Sequence, residues 1–362
     1  MARSRAPGAS GGSALPAVDV RVVGIAGHHV DYPRLIADQL RAHGLRCEHY
    51  SIPFLPLGAL RPSILAKLRT EFRKTPAAAV LVYCSGSAEY YLRGPDVSVH
   101  FSAFRSWFDA DRMCVIAHPW TNAEPLPSQT IAWTEKPAFK VGFLGMTYRN
   151  SAPGRLVSTM PASARNWLLK GHWLRSADLI AAAYAARIPL RYSMAFPRAE
   201  TIAAAKAHCA AAGAELRIVD TGGFTGHDEQ VQAYARHMAD TTYVLCPRGA
   251  ENFSYRLYET LKFGRVPVLI DTDMVLPGGM DWDELVVRVP YSQLSKIGEI
   301  VAQDYRNRSA AEFILRQRRA LEAMEQLQAG GWADGLVADV RRRLAAKSSP
   351  IQAKVLDSAM TV

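Results

Sequence analysis

Hydrophobic and polar positions alternate between strand-like runs and helix-like segments along most of the chain. Residues 18–26 (VDVRVVGIA) are rich in β-branched side chains, which is typical of a strand. Over residues 32–45, apolar side chains recur at helical spacing up to Gly44. The same reasoning predicts strands over 47–52, 77–84 and 113–117 and helices over 62–73 and 101–108. Such alternation indicates parallel βαβ units.

A second alternating series follows a proline-rich stretch. Residues 119–137 contain four prolines and little periodicity, so we interpret them as an interdomain region. Beyond them the pattern predicts strands over 139–146, 214–219, 242–246 and 266–270 and helices over 199–212, 230–239, 254–263, 293–303 and 310–329. The predicted fold class is therefore α/β, with two Rossmann-like lobes whose parallel sheets face a cleft.

This pattern divides the 362 residues into four predicted parts. Residues 1–17 are expected to be a disordered leader, because they are rich in Gly, Ser, Ala and Pro and lack the apolar core of a secretory signal. Residues 18–135 form an N-terminal Rossmann-like acceptor lobe and residues 136–310 a C-terminal donor lobe. Residues 311–362 supply C-terminal helices and a tail. No apolar run reaches the roughly 18 residues of a membrane span.

Charge and cysteine content narrow the classes of partner. The net charge of +10 suits acidic partners such as nucleotide diphosphates or an anionic lipid surface. The basic residues are spread along the chain and form no nucleic-acid-binding signature, so nucleic acid is not expected. Five scattered cysteines form no CxxC pair, which disfavours a disulfide framework and a zinc site and favours a reducing cytosol.

The segment after the predicted strand 242–246 carries the clearest chemistry. A short loop with Arg248 and Gly249 leads into a helix that begins near Ser254. The free N–H groups of a helix start bind anions, and Ser254 can cap the helix or donate its hydroxyl to a phosphate. Arg248 offers a planar fork for phosphate oxygens, and Gly249 lets a ligand approach the backbone.

One side of this helix carries polar residues at spacings of three and four. Glu259 lies one turn below the helix start, where a carboxylate can accept both ribose hydroxyls of a nucleotide. Together with Tyr255, Arg256 and Lys262, it could equally form a solvated helix face with weak ion pairs. The residues alone leave both interpretations open.

The order of motifs resembles the C-terminal signature of the exostosin family, glycosyltransferase family 47. That signature consists of a strand, Pro-Arg-Gly, a Ser-x-Arg-Leu-x-Glu helix, Gly and Val-Pro-Val. In this chain the corresponding residues are Pro247-Arg248-Gly249, Ser254 to Glu259, Gly264 and Val266-Pro267-Val268. A weaker similarity covers Lys140 to Gly145 with Arg149 downstream. The first half of the chain shows no motif of the family.

The resemblance implies a GT-B-like fold and inverting transfer of a sugar from a nucleotide-diphosphate donor, of UDP type by preference, to a glycan or lipid-linked glycan. It implies that Glu259 holds the donor ribose and that Arg248 and Ser254 hold the diphosphate. Further donor-binding residues are then Gly249, Tyr255, Arg256 and Arg149. No cofactor and no bound metal are expected. Asp271-Thr272-Asp273 matches a metal-binding Asp-x-Asp by letter, but we interpret it as a turn.

Inversion needs a base for the acceptor hydroxyl proton. We predict His28 or His29, just past the first strand, with Asp31 orienting it. Glu89 and His118 are other candidates in loops of the first lobe. Aromatic residues in the same loops, which could stack on sugar rings or serve packing alone, are Tyr90, Tyr91 and Trp120.

The residues leave two other functions open. One is a fucosyltransferase-like enzyme that uses a GDP sugar, and the other is a catalytically silent module that binds a glycan or nucleotide. A nicotinamide dehydrogenase is disfavoured, because the turn after the first strand lacks GxGxxG. The family-level expectation is polysaccharide biosynthesis in the cytoplasm, with peripheral contact to the anionic inner face of the membrane.

Overall fold

Two five-stranded sheets, each with all strands parallel, organise the chain. The computed structural model describes residues 18–25, 32–52, 62–84, 92, 94–118, 130–147, 159–161, 163–164, 196–222, 228–249 and 252–348. The α/β prediction with two Rossmann-like parallel sheets is confirmed by this topology. None of the helices that the structure describes is both long enough and apolar enough to cross a membrane.

The first sheet has the strand order β2-β1-β3-β4-β5. Its strands are β1 (Val20–Ile25), β2 (Cys47–Ile52), β3 (Val80–Cys84), β4 (Val97–His100) and β5 (Met113–Val115). Helix α1 (Tyr32–Ala42) precedes β2, and α2 (Pro62–Arg73) precedes β3. Gly44 adopts a positive φ of 83° just after α1, where the predicted helix was expected to end.

The helix predicted over residues 101–108 is wrong. The fourth strand, β4, ends at His100, and only Arg105–Trp107 forms a short 3-10 helix. Phe104 instead makes an antiparallel bridge with Met274 of the second half of the chain. Because Phe104 is fully buried, tertiary packing overrides the helix-like spacing.

The second sheet has the strand order β10-β9-β8-β6-β7. Its strands are β6 (Lys140–Gly145), β7 (Glu215–Asp220), β8 (Tyr243–Cys246), β9 (Val266–Asp271) and β10 (Val287–Pro290). The accompanying helices are α3 (Phe196–Ala211), α4 (Asp228–Ala239), α5 (Tyr255–Lys262), α6 (Trp282–Leu285) and α7 (Ile297–Asn307). The helix predicted from residue 293 begins later because a 3-10 helix occupies Tyr291–Lys296.

The last two helices of the described chain connect the two lobes. Helix α8 (Ala310–Gln328) begins with a capping box at Ser309 and Glu312, and α9 (Asp334–Lys347) returns to the first sheet. There Lys347 donates hydrogen bonds to the Asp96 carboxylate and the Ala79 carbonyl, both at 2.8 Å. One hydrophobic core contains side chains of β1, β3, α5, α8 and α9, so both lobes contribute to it. A second core fills the space between the second sheet and α3, α7 and α8.

Candidate active site

The loop after β8 and the start of α5 lie at the carboxyl edge of the second sheet, where ligands bind in open α/β folds. Ser254 occupies the N-cap position with extended backbone angles (φ −135°, ψ 126°) and makes no side-chain capping hydrogen bond. Its side chain is buried. The α5 N–H groups therefore begin at the predicted anion-binding position, and the Ser254 hydroxyl is not used as their cap.

Arg248 is fully buried beneath the first lobe. Only 1% of its surface is exposed, and its guanidinium lies 5.3 Å from the centre of the Phe104 ring. Its Nη1 donates to Asn252 Oδ1 at 3.2 Å. The Asn252 amide in turn donates to the Ala103 carbonyl at 3.0 Å and accepts from the Thr272 hydroxyl at 2.6 Å. Arg248 therefore belongs to the junction between the lobes.

Glu259 lies beside Tyr234 of helix α4 and Arg256 of its own helix. The Tyr234 hydroxyl of α4 donates a hydrogen bond to its carboxylate. Burial raises the pKa of Glu259, although the nearby Arg256 guanidinium and the Tyr234 hydrogen bond act in the opposite direction. Arg256 donates to the Leu144 carbonyl at 2.7 Å and lies 4.2 Å from the centre of the Phe143 ring. The solvated-face interpretation therefore does not describe Arg256 and Glu259.

The carboxyl end of β6 is shaped around Arg256. Gly145 has a φ of 155°, and a Cβ on it would lie 2.5 Å from Arg256 Nη2. A side chain at this position would displace the guanidinium from the Leu144 carbonyl, so glycine is needed there for a close approach.

Arg198, at the start of α3, lies at the candidate site and is not predicted by the sequence. Its Nη1 donates to the Met146 carbonyl at 3.1 Å, just past the end of β6. Its Nη2 lies 3.5 Å from the position that a Cβ on Gly249 would take. Arg198 is also close enough to Glu259 to lower the pKa of that carboxyl. An arginine after Pro197 carries no local signal for this placement, which depends on the sheet order.

His118 brings the first lobe to the start of α5. Its Nε2 lies 2.9 Å from the Tyr32 hydroxyl and 3.3 Å from the Tyr255 hydroxyl. The imidazole is buried and contacts four aromatic rings, which belong to Tyr32, Phe101, Phe253 and Tyr255. Tyr255 is 47% exposed and is the most exposed member of this cluster.

Several predicted residues lie outside the described part of the chain. They are His28, His29, Asp31, Glu89, Tyr90, Tyr91, Trp120 and Arg149. Their assignments stay predictions.

The Asp-x-Asp letters of residues 271–273 take part in the contact between the lobes. The Asp271 carboxylate accepts from Arg105 at 2.9 Å and from Arg288 at 3.1 Å. Asp273 has a positive φ of 67°, and its carboxylate accepts from the Ser106 N–H at 3.0 Å. Among the described residues, no group of three or more His, Cys, Asp or Glu side chains could hold a metal ion.

A cavity of about 1160 Å³ lies at the other end of the second sheet. Its lining includes Lys140 and Thr242, which stand at the amino ends of β6 and β8, and Arg236 of α4. Because the start of α5 and Glu259 are at the carboxyl edge, this cavity is separate from the candidate active site.

One segment of the chain matches a known family model. Residues 197–303 match the family model described as the Exostosin GT47 domain, and this range includes Arg198, Tyr234, Arg248 and Glu259. This segment is similar to an exostosin GT47 domain. The resemblance expected from the sequence is thereby confirmed.

Similar proteins share this domain over a limited length. A probable glucuronosyltransferase of Oryza sativa subsp. japonica is 34% identical over 98 residues, which are 26% of this chain and 22% of the relative. The probable β-1,4-xylosyltransferase IRX10 of Arabidopsis thaliana is 33% identical over 90 residues, 24% of this chain and 21% of the relative. An exostosin-1 homolog of Caenorhabditis elegans is 34% identical over 77 residues, 21% and 20% of the two chains. The chain thus spans only about a fifth of these relatives' length.

Solved structures show a distant likeness. The glycotransferase of kitacinnamycin is 12% identical with a TM-score of 0.35, covering 90% of this chain and 100% of that one. Sucrose-phosphate synthase from Thermosynechococcus elongatus is 11% identical with a TM-score of 0.38 at the same coverage. These scores are too low to bear on function.

Proposed function

We propose that this chain is an inverting glycosyltransferase that moves a sugar from a nucleotide-diphosphate donor to a glycan or lipid-linked glycan in polysaccharide biosynthesis. The observation that carries the proposal is the partly buried pair of Glu259 and Arg256 within one turn of the α5 start, at the carboxyl edge of the second sheet. The exostosin domain covers all of these residues.

The chemistry follows from this arrangement. The Glu259 carboxylate would accept the ribose hydroxyls, and the α5 N–H groups with nearby arginines would face the diphosphate. The acceptor oxygen forms a bond to the anomeric carbon while the bond from that carbon to the diphosphate oxygen breaks. The electron pair leaves with the diphosphate, where fixed positive charge stabilises it. The acceptor proton passes to a base, for which His28 or His29, oriented by Asp31, remain the proposed residues.

The donor is proposed to be a UDP sugar, with GDP as the fucosyltransferase-like alternative. The rice relative is named a probable glucuronosyltransferase and the Arabidopsis relative a probable β-1,4-xylosyltransferase. Nucleotide-activated glucuronic acid and xylose are therefore the donors to test first. A cytoplasmic location, with peripheral contact to an anionic membrane face, is also proposed. The net charge of +10 supports that contact through long-range attraction.

A calorimetric screen of UDP-, GDP-, CMP- and TDP-sugars against the full chain tests the proposal. We expect one class to bind, and we expect Glu259→Ala to weaken that binding by about tenfold or more, since hydrogen bonds to a charged group are lost. Glu322→Ala, at an exposed glutamate of α8, is the matched control. Unchanged affinity in Glu259→Ala would remove the ribose assignment.

Turnover distinguishes an enzyme from a silent binding module. With the best-binding donor, transfer to a panel of glycan acceptors should release the nucleoside diphosphate. Hydrolysis of the donor without acceptor provides the second readout. Donor binding with neither reaction across the panel would support the silent module.

A further inference from the structure

Arg248 lies in the loop after β8, and Arg198 lies close to that loop. The two arginines differ in burial. Arg248 is buried, with its guanidinium against the Phe104 ring and its Nη1 on Asn252. Asn252 also binds the Ala103 carbonyl of the first lobe. A ligand could therefore reach the Arg248 guanidinium only if contacts between the lobes were broken.

Arg198 is less buried than Arg248. It is partly exposed, and its guanidinium lies over the ends of two neighbouring strands, β6 and β8. Nη1 is held by the Met146 carbonyl at 3.1 Å, and Nη2 points to the glycine in the loop, 3.5 Å from the place of a Gly249 Cβ. An arginine guanidinium carries five N–H donors in a planar fork that matches the oxygens of a phosphate.

Arg198 also shares the surroundings of the ribose carboxylate. Its charge is one of those that lower the pKa of Glu259. In a nucleotide, the phosphates are attached directly to the ribose. If the ribose binds Glu259, the phosphates therefore lie next to Glu259. Arg198, which is near both Glu259 and Gly249, then faces the space that the phosphates would fill. Gly249 has no side chain, and its own N–H donates to the Phe253 carbonyl at 3.0 Å.

We infer that Arg198 is the arginine that contacts the donor diphosphate, and that Arg248 is a positioning residue that holds the loop against the first lobe. This assignment rests on the proposed function and changes one role within it. The Arg248 guanidinium acts through Asn252 and Phe104, whereas the Arg198 guanidinium touches the ligand.

Paired titrations with UDP and UMP, and with GDP and GMP, test this assignment, because the ratio of the two dissociation constants isolates the terminal phosphate. We expect Arg198→Gln and Arg198→Met each to reduce the diphosphate preference by about 10- to 100-fold, as charge-assisted hydrogen bonds are lost. Arg248→Gln should weaken diphosphate and monophosphate equally and lower the melting temperature. Arg217→Gln, on β7 with partners Glu215 and Asp240, is the control for losing one positive charge.

The outcomes separate the two levels of the proposal. If the wild-type chain binds none of these nucleotides, both the proposed function and the Arg198 assignment are overturned. If the wild-type chain binds UDP but the folded Arg198 variants keep its diphosphate preference, only the Arg198 assignment fails. An equal loss of preference in Arg248→Gln would overturn the division of roles. Thermal unfolding of each variant verifies that it is folded, and the two Arg198 replacements give independent chances of a folded protein.

Discussion

The Tyr234 hydroxyl donates a hydrogen bond to the Glu259 carboxylate, which joins α4 to the helix that carries the candidate site. Tyr234 is buried, and burial raises its pKa well above the ordinary value, so the phenol remains a donor at neutral pH. One carboxylate oxygen is thereby fixed in direction. The orientation of the proposed ribose-binding group thus depends on a residue 25 positions earlier in the chain.

Tyr234→Phe removes this hydrogen bond and leaves the ring in place. We expect nucleotide binding to weaken by about fivefold, equivalent to about 1 kcal/mol, because the carboxylate loses its fixed orientation. Calorimetric titration with UDP measures the change. Tyr243→Phe is a matched control, since Tyr243 donates to the Asp304 carboxylate at 2.7 Å from the amino end of β8. Equal loss of affinity in both variants would argue against a positioning role for Tyr234.

Nucleotide affinity should depend on pH through Glu259. Burial raises the pKa of this carboxyl, so its proton returns at a higher pH than on an ordinary glutamate. Protonation removes an acceptor for the ribose hydroxyls, so affinity should fall as the pH falls, starting above about pH 4.5. Titrations with a nucleoside such as uridine avoid the titration of the phosphates themselves. Glu259→Gln should bind weakly and without this pH dependence, and a pH dependence that persists in it would assign the effect to another group.

The buried Asn252 side chain should contribute strongly to stability. It connects Arg248 with the Ala103 carbonyl and the Thr272 hydroxyl, so Asn252→Ala leaves several buried polar groups without this partner. We expect the free energy of unfolding to fall by about 2–3 kcal/mol in urea denaturation. Asn307→Ala, at the exposed end of α7, should change it by less than about 0.5 kcal/mol. A small effect of Asn252→Ala would show that the hydrogen bonds of Asn252 do not stabilise the fold.

His237 should make the fold sensitive to mild acid. Burial, with Arg256 and Arg217 nearby, lowers its pKa to about 4. In the unfolded chain this histidine binds a proton at about pH 6.5, whereas in the folded chain it does so only near pH 4. The free energy of unfolding therefore falls as the pH falls from about 6.5 towards about 4. Between about pH 7 and about pH 5 the loss from this residue should reach about 2 kcal/mol.

The measurement for His237 is urea denaturation at both pH values. His237→Gln should lose less stability on acidification than the wild-type chain, and His208→Gln, at an exposed histidine of α3, should behave as wild type. An equal slope in all three proteins would remove His237 from the account of acid stability.

The sequence by itself determined the order and type of most elements and the motif at the candidate site. Runs such as β9 are apolar at nearly every position because both faces of a parallel strand are buried, and this can be recognised locally. The segment around Phe104 was misjudged because its packing partner, Met274, is 170 positions away in the chain. Local spacing contains no information about such a partner.

Tertiary structure alone decided which charged residues meet. The order of the second sheet puts β6 between β7 and β8, which brings Arg198 to Gly249 and Tyr234 to Glu259. The contact between the lobes buries Arg248, whose motif had suggested a ligand contact. Whether a charged side chain is exposed, and which residues it contacts, depends on segments that are distant in sequence. Crossover connections bring these segments together, and hydrophobic periodicity does not encode those connections.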